Sequence, residues 1–179
     1  TLISPIIIIY RIMVGKEDPT RFTERYCKYN EINNKDSLVW FHAASVGEMM
    51  SIVPIIRKFE KNNKIKKILL TTTTTSSANL FNKFNFKKTK HKYFPIDTNF
   101  FADKFVKFWR PNLAIFVESE IWPNMFKRLN SKRIPIILLN ARITNKSFKK
   151  WIRLKNFSNN IFNKISLALP QNMETSKYL

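Results

Sequence analysis

An α/β fold, with a parallel sheet and helices on both faces, is what the sequence predicts, and three observations predict it. Short β-prone runs alternate with segments of helical periodicity along the chain of 179 residues, and strands that alternate with helices close into parallel sheets with right-handed crossovers. Nearly every polar cluster falls just after a predicted strand: His42 to Glu48, Thr71 to Ser77, Asp97, Glu118 to Glu120, Asn140 to Arg142, and Gln171 with Asn172. These groups should therefore line one edge of one sheet. An apolar content of 44% is enough to bury a real core, and the length suggests one domain.

The elements follow in order. Leu2 to Val14, with Ile6 to Ile9 unbroken, falls short of the about 20 apolar residues that span a bilayer. It reads as the end of a truncated anchor or as a helix on a membrane surface, with an ordinary helix packed on the domain as the alternative. Arg11, Arg21 and Arg25 follow as the basic flank expected on the cytoplasmic side of an anchor, and no small-residue cleavage site follows the apolar run. After a polar connector at residues 31–36, strand one is Leu38 to Phe41. Its helix runs from about Glu48 to Lys61 and carries Ile52, Ile55, Ile56 and Phe59 on one face. Strand two is Ile68 to Thr73, with a short helix around Ala78 to Phe84. Strand three is Lys92 to Phe94, with Asp97 as candidate N-cap of a helix over Phe100 to Trp109. Strand four, Leu113 to Val117, leads to Pro123 where a first helical residue would stand. Strand five, Ile136 to Leu139, precedes one basic amphipathic helix from about Ser147 to Asn163, and strand six is Leu167 to Leu169. The chain opens at Thr1 and stops inside an apparent helix at Leu179, as expected of a piece of a longer protein.

Composition narrows the function. A net charge of +20, from 32 basic against 12 acidic residues, implies an anionic partner, although a general drift towards lysine accounts for part of it. The single cysteine, Cys27, excludes an internal disulfide, and one thiol with two separated histidines makes a zinc site improbable. With only Gly15 and Gly47 present, neither glycine-rich phosphate loop can exist. No Gly-x-Ser-x-Gly elbow exists either, so Ser45 is a poor nucleophile. A nucleic-acid-binding module remains as an alternative on charge, but it lacks an RNP-like aromatic motif and a recognition helix.

The chemistry points to carboxylates. Leu38 to Glu48 reads as a strand, a tight turn and a helix start, which puts Glu48 at the lip of a strand's carboxyl end, the edge where open parallel sheets bind ligands. A glutamate there suits a general base that deprotonates a hydroxyl. The helix dipole favours its ionised form while burial opposes it, and sequence leaves that balance open. Ser45-Val-Gly-Glu48 also fits a capping box, so a purely structural role stands beside the catalytic one, and Gly47 could simply ease the turn. Glu118 or Glu120, beyond a neighbouring strand, could stabilise positive charge in a transition state or position the base; the alternative is a helix start with a packed Trp122. The threonine run Thr71 to Thr75 could offer hydroxyls to a sugar, or merely end a strand and cap a helix.

Several motifs together resemble a family. His42-Ala-Ala-Ser-Val-Gly-Glu48, Glu118-Ser-Glu-Ile-Trp-Pro-Asn124, Asn140-Ala-Arg142, Gln171-Asn172, and the earlier Gly15-Lys-Glu-Asp-Pro and Arg21 to Arg25 stand in an order and spacing similar to the amino-terminal domain of the Kdo transferases. That resemblance implies a Rossmann-like domain, the amino-terminal half of a GT-B type glycosyltransferase. Such an enzyme transfers 3-deoxy-D-manno-oct-2-ulosonic acid (Kdo) from CMP-Kdo to lipid A precursor with inversion, in lipopolysaccharide synthesis. It implies Glu48 as proton acceptor and Glu118 as transition-state stabiliser, with Ser45, Gly47, Glu120 and Arg142 as acceptor-binding or supporting residues. It further implies no metal or other cofactor, no nucleic-acid partner, and a place on the cytoplasmic face of the bacterial inner membrane, whose anionic surface suits the basic chain. On this reading residues 1–30 are a membrane-proximal segment and residues 31–179 the acceptor-binding domain. The carboxyl-terminal domain that binds CMP-Kdo is absent, so this piece alone should not turn over. Another GT-B glycosyltransferase with a different acceptor is the alternative.

Overall fold

The computed structural model describes residues 4–30 and 36–178 of the chain. Six parallel strands run in the order β3-β2-β1-β4-β5-β6, comprising β1 (Leu38–His42), β2 (Lys67–Thr72), β3 (Thr89–Tyr93), β4 (Leu113–Val117), β5 (Ile136–Ala141) and β6 (Leu167–Pro170). The helices between them are α2 (Val46–Lys61), α3 (Thr75–Phe81), α4 (Asn99–Trp109), α5 (Pro123–Ser131), α6 (Asn145–Arg153) and α7 (Lys155–Phe162); α1 (Ser4–Met13) precedes the sheet and α8 (Met173–Tyr178) follows it. Strand order runs outward from β1 to β3, returns to β4 beside β1, and runs outward again. The reversal lies between β1 and β4, and a doubly wound sheet opens a crevice at that point beyond its carboxyl ends.

Alternation along β1 builds two cores. Leu38 and Trp40 face α4 and α5 with Phe105, Trp109, Phe116 and Phe126, while Val39 and Phe41 face α2 with Met49, Ile52 and Ile56. All five residues of β1 are buried, which follows from pairing on both edges and helices on both faces. The face foreseen on α2 is present: Ile52 and Ile56 are buried, and Ile55 and Phe59 pack against them.

Three local features differ from expectation, each with a physical reason. Strand three starts earlier, at Thr89, because its polar residues find partners. Glu60 accepts from Thr89 N and Oγ1, Thr72 Oγ1 meets His91 Nε2 at 2.9 Å, and Arg21 reaches the His91 carbonyl at 3.0 Å. Burial first, then the Arg21 charge, holds the His91 imidazole down to about 3. Asp97 does not cap α4; the Thr98 hydroxyl does, accepting from Phe101 N. The Asp97 carboxylate instead accepts from Asn124 N and Met125 N at 3.2 and 2.9 Å, taking the orphan amides of α5 behind Pro123. Last, the single basic helix is two. Leu154, at φ −113° and ψ 44°, interrupts it, and Ser158 Oγ donates around the carbonyls of Trp151, Leu154 and Lys155.

The amino-terminal segment is fastened to the sheet. Glu17, wholly buried, accepts from Arg25 at 3.0 Å and Arg11 at 3.1 Å. Arg25 also donates to the carbonyls of Phe94 and Thr73 at 3.1 and 2.7 Å, and Arg21 clasps Glu24, which accepts from Tyr93 N. Arg21 and Arg25 thus serve inside the protein as ties, not as a free basic flank. The connector expected at residues 31–36 lies, apart from Asp36, outside the described residues.

Removing one partner of a buried ion pair strands the other charge, whereas an exposed pair is screened by water. Glu17→Ala is therefore expected to cost about 3–5 kcal/mol in a denaturant titration. Asp36→Ala, which removes the exposed Lys67 pair, should cost about 1 kcal/mol or less.

Candidate active site

The loops after β1 and β4 flank the crevice, and each carries a carboxylate. Ser45 is the N-cap of α2 and its hydroxyl accepts from Glu48 N at 3.3 Å. The Glu48 carboxylate folds back over the same turn, taking Ala44 N–H at 2.8 Å on Oε2 and the Ser45 hydroxyl at 2.9 Å on Oε1. The capping box is therefore real, with the amide before the cap as its second donor. It does not exhaust the group. A carboxylate offers about four lone-pair directions, two are used, and the side chain is only half-buried.

Burial raises the Glu48 pKa above its ordinary 4.5, and the carboxylates of Glu120 and Glu118 push the same way against the Ala44 and Ser45 hydrogen bonds. Desolvation and like charge thus outweigh the two hydrogen bonds that favour the ionised form. The like charge also places Glu118 and Glu120 in one electrostatic neighbourhood with Glu48.

The two later carboxylates differ. Glu118 follows β4 in a left-handed conformation, φ 57°, held by Glu118 N donating to Leu139 O at 2.9 Å. A non-glycine residue bears strain there, of about 1 kcal/mol or more. Among the described residues its carboxylate has no hydrogen-bond or ion-pair partner. Glu120 is engaged: its Oε2 lies 3.1 Å from His42 Nε2 and accepts from Trp122 Nε1 at 2.9 Å. His42 is completely buried against Phe94 and Phe116. Its Nδ1 lies 3.0 Å from Thr71 Oγ1, which accepts in turn from Trp40 Nε1 at 2.9 Å. Trp40 donates to Thr71 Oγ1, whose hydroxyl donates to the Phe41 carbonyl at 3.4 Å, and the His42 ring links Thr71 to Glu120, its Nδ1 lying 3.1 Å from the Thr71 carbonyl.

The remaining residues fall as follows. Arg142 follows β5 with an exposed side chain; its backbone N meets Glu118 O at 3.4 Å and its carbonyl accepts Ser119 Oγ at 2.6 Å, so the β4 and β5 loops are joined. Gly47 lies in the first turn of α2, where an added Cβ would meet nothing within 4 Å, so the fold does not require glycine there. Thr71 and Thr72 complete β2 while Thr74 caps α3, which gives the threonine run its structural reading. Sequence reasoning assigned no role to His42. The available signal was a histidine ending a buried strand, which must find a partner.

The architecture defines a class: a doubly wound sheet with acidic loops at the switch point, of Rossmann-like GT-B type. Two structures titled UDP-N-acetylglucosamine 2-epimerase share this fold. The first, at TM-score 0.56 and 11% identity, covers 80% of this chain and 44% of its own. The second, from Neisseria meningitidis with bound UDP-GlcNAc, has TM-score 0.55 at 10% identity over 80% of this chain and 42% of its own.

Sequence comparison goes further. Residues 20–179 match the family described as 3-deoxy-D-manno-octulosonic-acid transferase (Kdo transferase), and the chain belongs to that family. A 3-deoxy-D-manno-octulosonic acid transferase of Rickettsia bellii is 35% identical over 93% of this chain and 40% of its own length. A probable mitochondrial 3-deoxy-D-manno-octulosonic acid transferase of Arabidopsis thaliana is 36% identical over 83% of this chain and 34% of its own, and the Haemophilus influenzae transferase is 27% identical over 97% and 42%. The chain therefore spans well under half the length of these relatives.

Two stability predictions follow from this geometry. Because the folded protein holds the Glu48 proton more tightly than the unfolded chain does, the associated stability is complete below about 4.5 and disappears as pH rises through the raised value. Glu48→Gln should flatten that limb of a plot of denaturant midpoint against pH. Gly47→Ala should raise stability by about 0.4–1 kcal/mol, read from the same titration.

Proposed function

We propose that this chain is the acceptor-binding half of an inverting, metal-independent glycosyltransferase that moves Kdo from CMP-Kdo to lipid A precursor. The observation that carries the reading is the pairing at the switch point of a half-buried glutamate with raised pKa, Glu48, and an unengaged carboxylate on a strained turn, Glu118. Family membership supplies the chemistry that this pair serves.

Glu48 takes the proton from the acceptor hydroxyl. The freed oxygen attacks the anomeric carbon of Kdo on the face opposite the nucleotide, and the bond to the CMP phosphate breaks with its electron pair on CMP. A raised pKa makes Glu48 a stronger base than an ordinary carboxylate. Glu118 stabilises positive charge developing on the sugar ring. Ser45 holds the base by one oxygen, Gly47 leaves the lip open, and Glu120 braces the loop that carries Glu118. The CMP-sugar is held by the remaining length found in the relatives, a second domain in this reading.

The lipid acceptor places the work at a membrane. No helix of the described residues is long and apolar enough to cross one. Along α1, however, Ile6, Ile7, Ile9, Tyr10 and Met13 are exposed, Ile6 by 68% and Met13 by 80%, on a chain of net charge +20. An apolar helix face on a basic domain suits the anionic cytoplasmic surface of an inner membrane.

In the full-length protein given CMP-Kdo and lipid A precursor, Glu48→Gln should lower transfer about 10²–10⁴-fold with the fold intact. Formation of no lipid product by the unaltered protein would remove the proposal. Binding of the chain to vesicles rich in anionic lipid should weaken as salt rises, in a flotation assay.

A further inference from the structure

The segment from Glu118 to Trp122 contributes to two clefts. Trp122 lines one with Ile8 of α1, and there the cations Arg11 and Arg25 are both spent on Glu17. Ile121 lines the other, a groove of about 430 Å³ between the β4 and β5 loops and the α6–α7 pair. Its walls are Ile121, Trp151, Leu154 and Phe157, with Leu154 58% and Phe157 50% exposed. At its edge stand Arg142 and Lys150, both exposed, and among the described residues neither has an ion-pair partner. No residue of α6 is buried, and its apolar Phe148, Trp151 and Ile152 lie on one face while Lys146, Lys149, Lys150 and Arg153 lie on another.

We infer that this groove binds the amphiphilic part of the acceptor, a phosphorylated and acylated sugar, with an acyl chain along the apolar wall and a phosphate at Arg142 and Lys150. The inference rests on the function proposed above and deepens it. Charge decides between the two clefts, because only here are cations left for a phosphate. Arg142 offers a planar fork and Lys150 a mobile point charge, a pairing suited to a phosphate that must enter from solvent. Position decides what the groove serves. Arg142 and Ser119 are hydrogen-bonded neighbours in the loops that also present Glu118, so a lipid seated here emerges with its sugar beside that carboxylate.

The test uses the full-length protein and two substitutions outside the catalytic pair, Lys150→Glu and Phe157→Ser. Kdo transfer is measured against the acylated, phosphorylated acceptor and against its deacylated counterpart, and flotation is measured on phosphatidylglycerol vesicles. Both variants should raise KM for the acylated acceptor about tenfold at unchanged kcat, with vesicle binding unaltered. With the deacylated acceptor, only Lys150→Glu should still raise KM. An unchanged KM for the acylated acceptor overturns the inference, as does loss of vesicle binding in proportion to the KM effect, which would mark a general bilayer contact. Should Phe157→Ser lower the melting temperature, Lys150→Glu decides alone, since its side chain is exposed. A wild-type protein that transfers no Kdo rejects the underlying function, whereas normal wild-type transfer with unaffected variants rejects only the groove.

Discussion

Everything at the crevice depends on β1 being hydrogen-bonded along both edges, to β2 on one side and β4 on the other. A parallel strand in that position has no solvent-facing backbone, so its residues must be apolar on both faces until the chain leaves the sheet. The transition from Phe41 to Ala44 marks that exit. The chain then turns into α2 on one face, while β4 delivers its own turn from the neighbouring position. Two loops far apart in sequence are held side by side by paired strands about 4.8 Å apart, which neither loop can distort.

The loop after β4 needs a further constraint, because Glu118 occupies a backbone conformation that its residue type disfavours. The brace is the buried run of Trp40, Thr71, His42, Glu120 and Trp122. Strands β1 and β2 and the loop after β4 contribute to it, and low local dielectric strengthens each of its hydrogen bonds. One consequence is a division of labour within Glu118-Ser-Glu120: one carboxylate is consumed in holding the turn and the other is left with none of its capacity spent.

Much of this was legible in the sequence because it is local. The buried strand at Leu38 to Phe41, the face of α2, Ser45 capping Glu48 and Pro123 opening α5 each depend on residues within one or two turns of one another. What escaped depends on distant partners. Thr89 to His91 look like a loop until Glu60, Thr72 and Arg21 satisfy them. Asp97 resembles a cap for the helix that follows it, yet the vacant amides within its reach belong to α5. The basic helix breaks where Ser158 competes for carbonyls, a contest periodicity cannot register. Arg25 reads as surface charge until Glu17, Thr73 and Phe94 surround it. In each case the deciding energy is the cost of an unpartnered buried polar group, which a linear pattern does not encode.

Arg25 joins α1 to the sheet without a continuous helix between them. Its guanidinium spans Glu17, beside Arg11 of α1, and the carbonyls of Thr73 and Phe94 at the tips of β2 and β3. That arrangement turns α1 into a handle. Its exposed isoleucines are thereby tied, through Arg11, Glu17 and Arg25, to the ends of β2 and β3, so the helix is seated by polar bonds and not by apolar packing alone.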